Sequence, residues 1–192
     1  MTATIEFPVL LRLTDERSAA IRAAVAAAPG LDVRVPTCPE WTLFDLVRHQ
    51  GEGRRSWAAT VAAGPAAPAK SAPKGAPAAP RELEAVSAWL AASTQRLLDA
   101  LREAGPDRGC WTWWGASQSP RACGAVARHQ LHQIAAHTYD AQVTTGARSR
   151  CRTSCGTASD LVLFVYDRIP VDSPRIDGVA GPLDLLRAWE PE

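Results

Sequence analysis

Leu83, Val86, Trp89, Leu90, Leu97, Leu98 and Leu101 recur at helical spacing and stop near Gly105-Pro106. An apolar stripe of that period belongs to a helix with one face to bury, so the chain must supply partners for it. Three other stretches carry a comparable pattern. Thr14-Asp-Glu-Arg-Ser opens an alanine-rich run that continues through Ala28 to Pro29-Gly30, with two acids in its first turn. Thr42-Leu-Phe-Asp45 reads as a capping box with Asp in place of Glu, followed by Leu43, Leu46, Val47, Gln50, Trp57 and Val61 on one stripe to about Ala63. Ser119-Pro120 opens a fourth pattern that runs to Thr145-Gly146. Four such helices satisfy their burial demand as a bundle, whose interior is a common place for metal ligands.

The connections differ in character. Residues 31 to 40 (LDVRVPTCPE) hold two prolines and a short alternation around Val33 and Val35, and are expected to cross the surface as an extended connection. Gly64 to Pro80 (GPAAPAKSAPKGAPAAP) has almost nothing to bury and reads as a flexible, partly polyproline linker. Cys110-Trp-Thr-Trp-Trp-Gly115 is a loop dense in aromatics. Near the C-terminus, 158 to 168 (ASDLVLFVYDR) fits a buried helix or strand and 182 to 189 (PLDLLRAW) a short amphipathic helix.

With 192 residues the chain can bury one good core, and two full-sized domains are not expected. A net charge of +1 with scattered Arg and Lys gives no footprint for nucleic acid or an anionic membrane. The first residues carry no signal-peptide pattern and no apolar run reaches membrane-spanning length, so a cytoplasmic location is expected. Cys38, Cys110, Cys123, Cys151 and Cys155 are an odd, sparse set and read as reduced thiols. The C-x3-C spacing of Cys151 and Cys155 matches neither a redox C-x-x-C nor a paired zinc knuckle, and a surface loop or a labile disulfide both remain open there.

The chain has four histidines, and three of them lie between Arg128 and Asp140. At about 100° per residue, His129, Gln133 and His137 project from one helical face, while His132 points away. Two ligands a turn apart let one helix grip a metal, and the remaining histidine, His49, stands near the start of another helix on the face of Leu46. His49, Gln133 and His137 plus water would make an open site of the catalytic kind. Histidines satisfied in the core or on the surface are the competing reading, and a neutral amide is a weaker ligand than carboxylate or imidazole.

Pro36-Thr-Cys-Pro-Glu-Trp-Thr-Leu-Phe-Asp-Leu-Val-Arg-His49, Trp111-Thr-Trp-Trp-Gly115 and His132-Gln-Ile-Ala-Ala-His-Thr-Tyr-Asp-Ala141 together resemble the mycothiol-dependent maleylpyruvate isomerase family, among the DinB-like metal-binding bundles. The resemblance covers roughly residues 10 to 147. It implies a mainly α fold, a DinB-like four-helix bundle over 10–147, with 148–192 as a truncated C-terminal segment, a short α/β remnant of a domain that family members commonly carry. That remnant is expected to pack on the bundle or to mediate self-association as a homodimer, with Phe164, Tyr166 and Leu185 as candidate contacts. The resemblance also implies a divalent metal, usually zinc, on the positions of His49 and His137 and on a Glu that is Gln133 here, with His129 a substitute ligand one turn away or a solvent-facing residue.

The implied activity is metal-dependent, mycothiol-dependent isomerisation or S-transfer on an electrophilic small molecule. In it the metal holds a low-molecular-weight thiol as thiolate. Arg54, Arg55 or Arg81 is a candidate partner for a substrate carboxylate, against a solvated helix face or linker end. Trp111, Trp113 and Trp114 are candidate walls of the thiol or substrate pocket, against a plug that caps the bundle. Asp140 is a candidate to orient His137, against a surface carboxylate. Two other classes stay open: a non-catalytic small-molecule-binding bundle, favoured by Gln133, and a thiol-independent metal-assisted enzyme of specialised metabolism.

Overall fold

The second helix begins where a strand ends. Thr42 has extended backbone; its Oγ1 accepts from the Asp45 N–H at 3.2 Å and its own N–H donates to Asp45 Oδ2 at 3.1 Å. Both arms of the capping box are therefore present, and the helix runs Leu43–Ala63 before Gly64 ends it in the left-handed region at φ 73°. The Thr42 hydroxyl, which donates to Asp45 Oδ2 at 2.7 Å, and the Thr42 N–H, with the Arg48 guanidinium, hold the Asp45 carboxyl below its ordinary value.

In the computed structural model, which describes residues 5–66, 75, 77–114 and 120–147, the element order is α1 (Phe7–Ala26), β1 (Arg34–Val35), β2 (Cys38–Thr42), α2 (Leu43–Ala63), α3 (Leu83–Ala104) and α4 (Cys123–Thr144). Helices α1 and α4 pack together, as do α2 and α3, and the two pairs close against each other. None of the helices is long and apolar enough to cross a membrane among the described residues.

Three expectations change. Helix α1 starts well before Thr14, because Pro8 in its first turn pre-sets the helical backbone; Thr14 is buried mid-helix and returns its hydroxyl to the Leu10 carbonyl at 2.9 Å. Residues 34–42 form an antiparallel hairpin with Arg34 opposite Thr42, rather than a plain extended connection. Tertiary bonds explain it: the N–H groups of Leu43 and Phe44, orphans of the first turn of α2, donate to the carbonyls of Val33 and Leu31 at 2.8 and 2.9 Å. Helix α4 begins at Cys123, since Gly109 and Ala122 first pair as an isolated bridge that closes the Trp loop. The tail from 148, with Cys151, Cys155, Phe164, Tyr166 and Leu185, and most of the Gly64 to Pro80 linker lie outside the described residues.

The apolar core has two halves. One, at the hairpin end, gathers Ile21, Val25, Val35, Leu43, Leu46, Val47, Val86, Leu90 and Ile134. The other, at the Trp-loop end, gathers Leu10, Leu11, Trp57, Val61, Leu97, Leu98, Leu101 and Val126, with the free thiols Cys110 and Cys123. Burial pushes the Cys110 thiol up to about 12, which keeps it protonated and unreactive. Between the halves α2 and α3 approach closely at Gly51, where a Cβ would sit 1.9 Å from the Trp89 ring, so only glycine fits.

Candidate metal centre

Helix α4 carries His137 toward the hairpin and α2 carries His49 beside it, with ring centroids 5.3 Å apart and the rings nearly perpendicular at 77°. Trp41 of β2 lies against both, 4.9 Å from His49 and 6.1 Å from His137. His137 is 6% exposed, and its Nδ1 is 2.8 Å from Oδ2 of Asp140, which is fully buried. Thr37, in the hairpin turn, donates its hydroxyl to the other carboxylate oxygen at 2.6 Å. The chain Thr37–Asp140–His137 fixes the imidazole with Nε2 as the nitrogen left for a ligand. Asp140 is thus a buried orienting carboxylate and not a helix-surface one.

A cleft of about 400 Å³ opens beside His49, lined among others by His49, Arg54, Trp57, Trp111, His129 and Gln133. Gln133 therefore faces the same space as His49. A second hollow on the other side of His49 is lined by Glu40, Trp41, Asp45, Arg48 and Glu52.

Two imidazoles on one tetrahedral ion at Zn–N distances of about 2.0 Å place their ring centroids about 5 Å apart. The observed 5.3 Å suits such a pair. Among the described residues no three His, Cys, Asp or Glu side chains are arranged to hold a metal ion. Gln133 lines the cleft with His49, and its amide oxygen is the candidate third donor. The two imidazoles, His137 oriented by Asp140 and His49 beside it, fit a divalent ion as a pair, and the Gln133 amide would add a neutral oxygen with less charge compensation than a carboxylate would give.

The remaining sequence candidates separate. His129 is half-buried and lines the cleft with His49 and Gln133, its ring centroid 5.7 Å from Trp57, 5.9 Å from Trp113 and 5.3 Å from Trp114. Trp111 and Trp113 line the cleft, and Trp114 packs on Trp57 behind them. His132 is outside the site, and burial lowers its pKa.

Arg54 and Arg55 are buried rather than on a solvated face. Arg54 lines the cleft. Arg55 turns to α3, donating from Nε to Ser93 Oγ at 2.7 Å with its guanidinium 4.8 Å from the Trp89 ring. Arg81 is exposed, over Phe44 at 4.3 Å and 3.9 Å from Asp32. Neither Arg55 nor Arg81 lines the cleft, so neither is placed to meet a ligand there. Sequence reasoning assigned no role to Trp41, Trp57 or Thr37; the Pro39-Glu-Trp41 and Trp57 positions beside the histidine-bearing segment were the available signal.

Residues 11–142 match the family described as mycothiol maleylpyruvate isomerase N-terminal domain. The chain belongs to this family. The match takes in α2 and α3 whole and most of α1 and α4, and the mainly α, DinB-like bundle is the fold of this mycothiol maleylpyruvate isomerase N-terminal domain. No curated protein and no solved structure matches the chain significantly.

Proposed function

We propose that the chain is a metal-dependent enzyme of the maleylpyruvate isomerase type, which uses mycothiol for isomerisation or S-transfer on an electrophilic small molecule. The observation that carries this reading is the perpendicular His49–His137 pair at 5.3 Å, with His137 held by Asp140 and His49 lining a cleft. Membership of a family named for mycothiol supports the thiol.

On this reading His49, His137 and the Gln133 amide hold a divalent ion, zinc by expectation. Such an ion, when bound, makes a coordinated thiol a thiolate near neutral pH and so supplies a nucleophile. Asp140 accepts the Nδ1–H of His137, which orients the ring as a ligand. Trp41 covers both rings on the hairpin side, and Trp57 and Trp111 limit water in the cleft. The neutral Gln133 favours a second reading, a bundle that binds a small molecule without catalysis.

The test is turnover of a series of unsaturated electrophiles by zinc-supplemented protein with and without mycothiol. Turnover that requires the thiol and disappears in His137→Ala is expected. Turnover indifferent to thiol would contradict the mycothiol step, and no turnover with metal bound would favour the binding bundle.

A further inference from the structure

Each helix contributes a buried polar side chain to a layer between the two apolar halves: Ser18 from α1, Gln50 and Arg54 from α2, Thr94 from α3 and Gln130 from α4. Arg54 sits in this layer, 2% exposed. Its Nη1 donates to Ser18 Oγ at 3.2 Å and to Thr94 Oγ1 at 2.5 Å, and its Nη2 to Gln50 Oε1 at 3.1 Å. All three acceptors are neutral. The charge that acts on Arg54 is another cation, Arg22, and together with burial it lowers the guanidinium pKa to about 9. Among the described residues no carboxylate pairs with Arg54.

A cation removed from water without a counter-charge costs several kcal/mol, and buried charges are normally paired. Here the missing partner has a place to stand, because Arg54 lines the cleft. A guanidinium has five N–H donors. Three bonds are made, which leaves the Nε–H and one Nη2–H, on the two nitrogens whose shared edge takes a carboxylate through parallel hydrogen bonds. The wall of the same cleft is Trp57, Trp111, Trp113 and the His129 ring. The cleft's volume of about 400 Å³ is within the usual range for small-molecule sites.

We propose that the cleft binds a carboxylate carried on a planar apolar body, with the carboxylate on Arg54 and the body against Trp57, Trp111 and Trp113. This rests on reading the cleft as the substrate site and names the substrate class. Arg54 acts in it as a binding residue, and its polar layer is a counter-ion site completed by the ligand.

Calorimetric titration of the full chain with benzoate, benzamide and inorganic phosphate tests the proposal, each with and without EDTA. Benzoate is expected to bind at least about tenfold more tightly than benzamide, which has the same shape and no charge, and than phosphate, which has charge and no apolar body. Gln50→Glu is nearly isosteric and puts a carboxylate on the Nη2 of Arg54. It is expected to raise the melting temperature of the ligand-free protein by about 3 °C or more and to weaken benzoate at least about tenfold. Ser18→Asp supplies the charge from the opposite side of the guanidinium and is expected to act in the same way.

Benzamide binding as tight as benzoate overturns the proposal, as does benzoate binding untouched by both variants. Phosphate binding as tight as benzoate overturns the planar-body half. Benzoate binding that is lost in EDTA and kept in both variants assigns the carboxylate to a metal at the histidines; it overturns the role of Arg54 and leaves the metal reading standing. Binding that survives EDTA and is lost in the variants upholds Arg54 whether or not the protein holds metal.

Discussion

His137 and His129 stand about two turns apart on the same helix, and their surroundings are opposite. His137 meets a carboxylate at 2.8 Å and a second imidazole at 5.3 Å. His129 meets the faces and edges of three tryptophans. The first arrangement fixes a tautomer and leaves a nitrogen for a ligand; the second uses the imidazole as a flat ring in an aromatic wall. Helical spacing put both on one face. The hairpin and the Trp loop, packed at opposite ends of α4, gave them different chemistry.

Zinc titration should break that symmetry most clearly. Asp140→Ala removes the acceptor that orients His137 and is expected to weaken zinc about 10–100-fold. His129→Ala in the same titration should leave zinc affinity unchanged within about twofold, the shift being confined to tryptophan fluorescence. Equal losses in the two variants would mean that the two histidines do the same work.

A smaller effect is expected at the base of the hairpin. Thr42→Ala removes the cap that joins β2, and so Trp41, to α2, and should cost about 1 kcal/mol in denaturant unfolding at pH 7. Because the Asp45 pKa is lowered in the folded state, its share of stability is present above the ordinary Asp range and is lost as pH falls through the folded value. The gap between wild type and variant should therefore narrow at about pH 3. A gap that widens in acid would show that the Asp45 carboxylate takes no part in the cap.

Much of the scaffold was legible. Thr42 with Asp45 and the glycine at 64 bounded α2, and Gly105 bounded α3, because capping is local chemistry written in adjacent residues. The hairpin was not legible: a two-residue strand carries little periodicity, and its bonds run to the first turn of α2. His49 and His137 could be picked out as rare residues at helical spacing, whereas the burial of Asp140 and its bond to Thr37 depend on a segment far away in sequence. Arg54 and Arg55 illustrate the same limit. Two adjacent arginines on a helix read equally as partners of a substrate carboxylate or as a solvated face, and only the packing of α1 and α3 against α2 reveals both as buried.

The central claim, a metal held between α2 and α4, is tested most directly by the metal content of protein purified without chelator, beside that of His137→Ala. Close to one equivalent of zinc or a similar divalent ion is expected in the wild type and less than about a tenth in the variant. Less than about a tenth of an equivalent in the wild type, unchanged by His137→Ala, would contradict it.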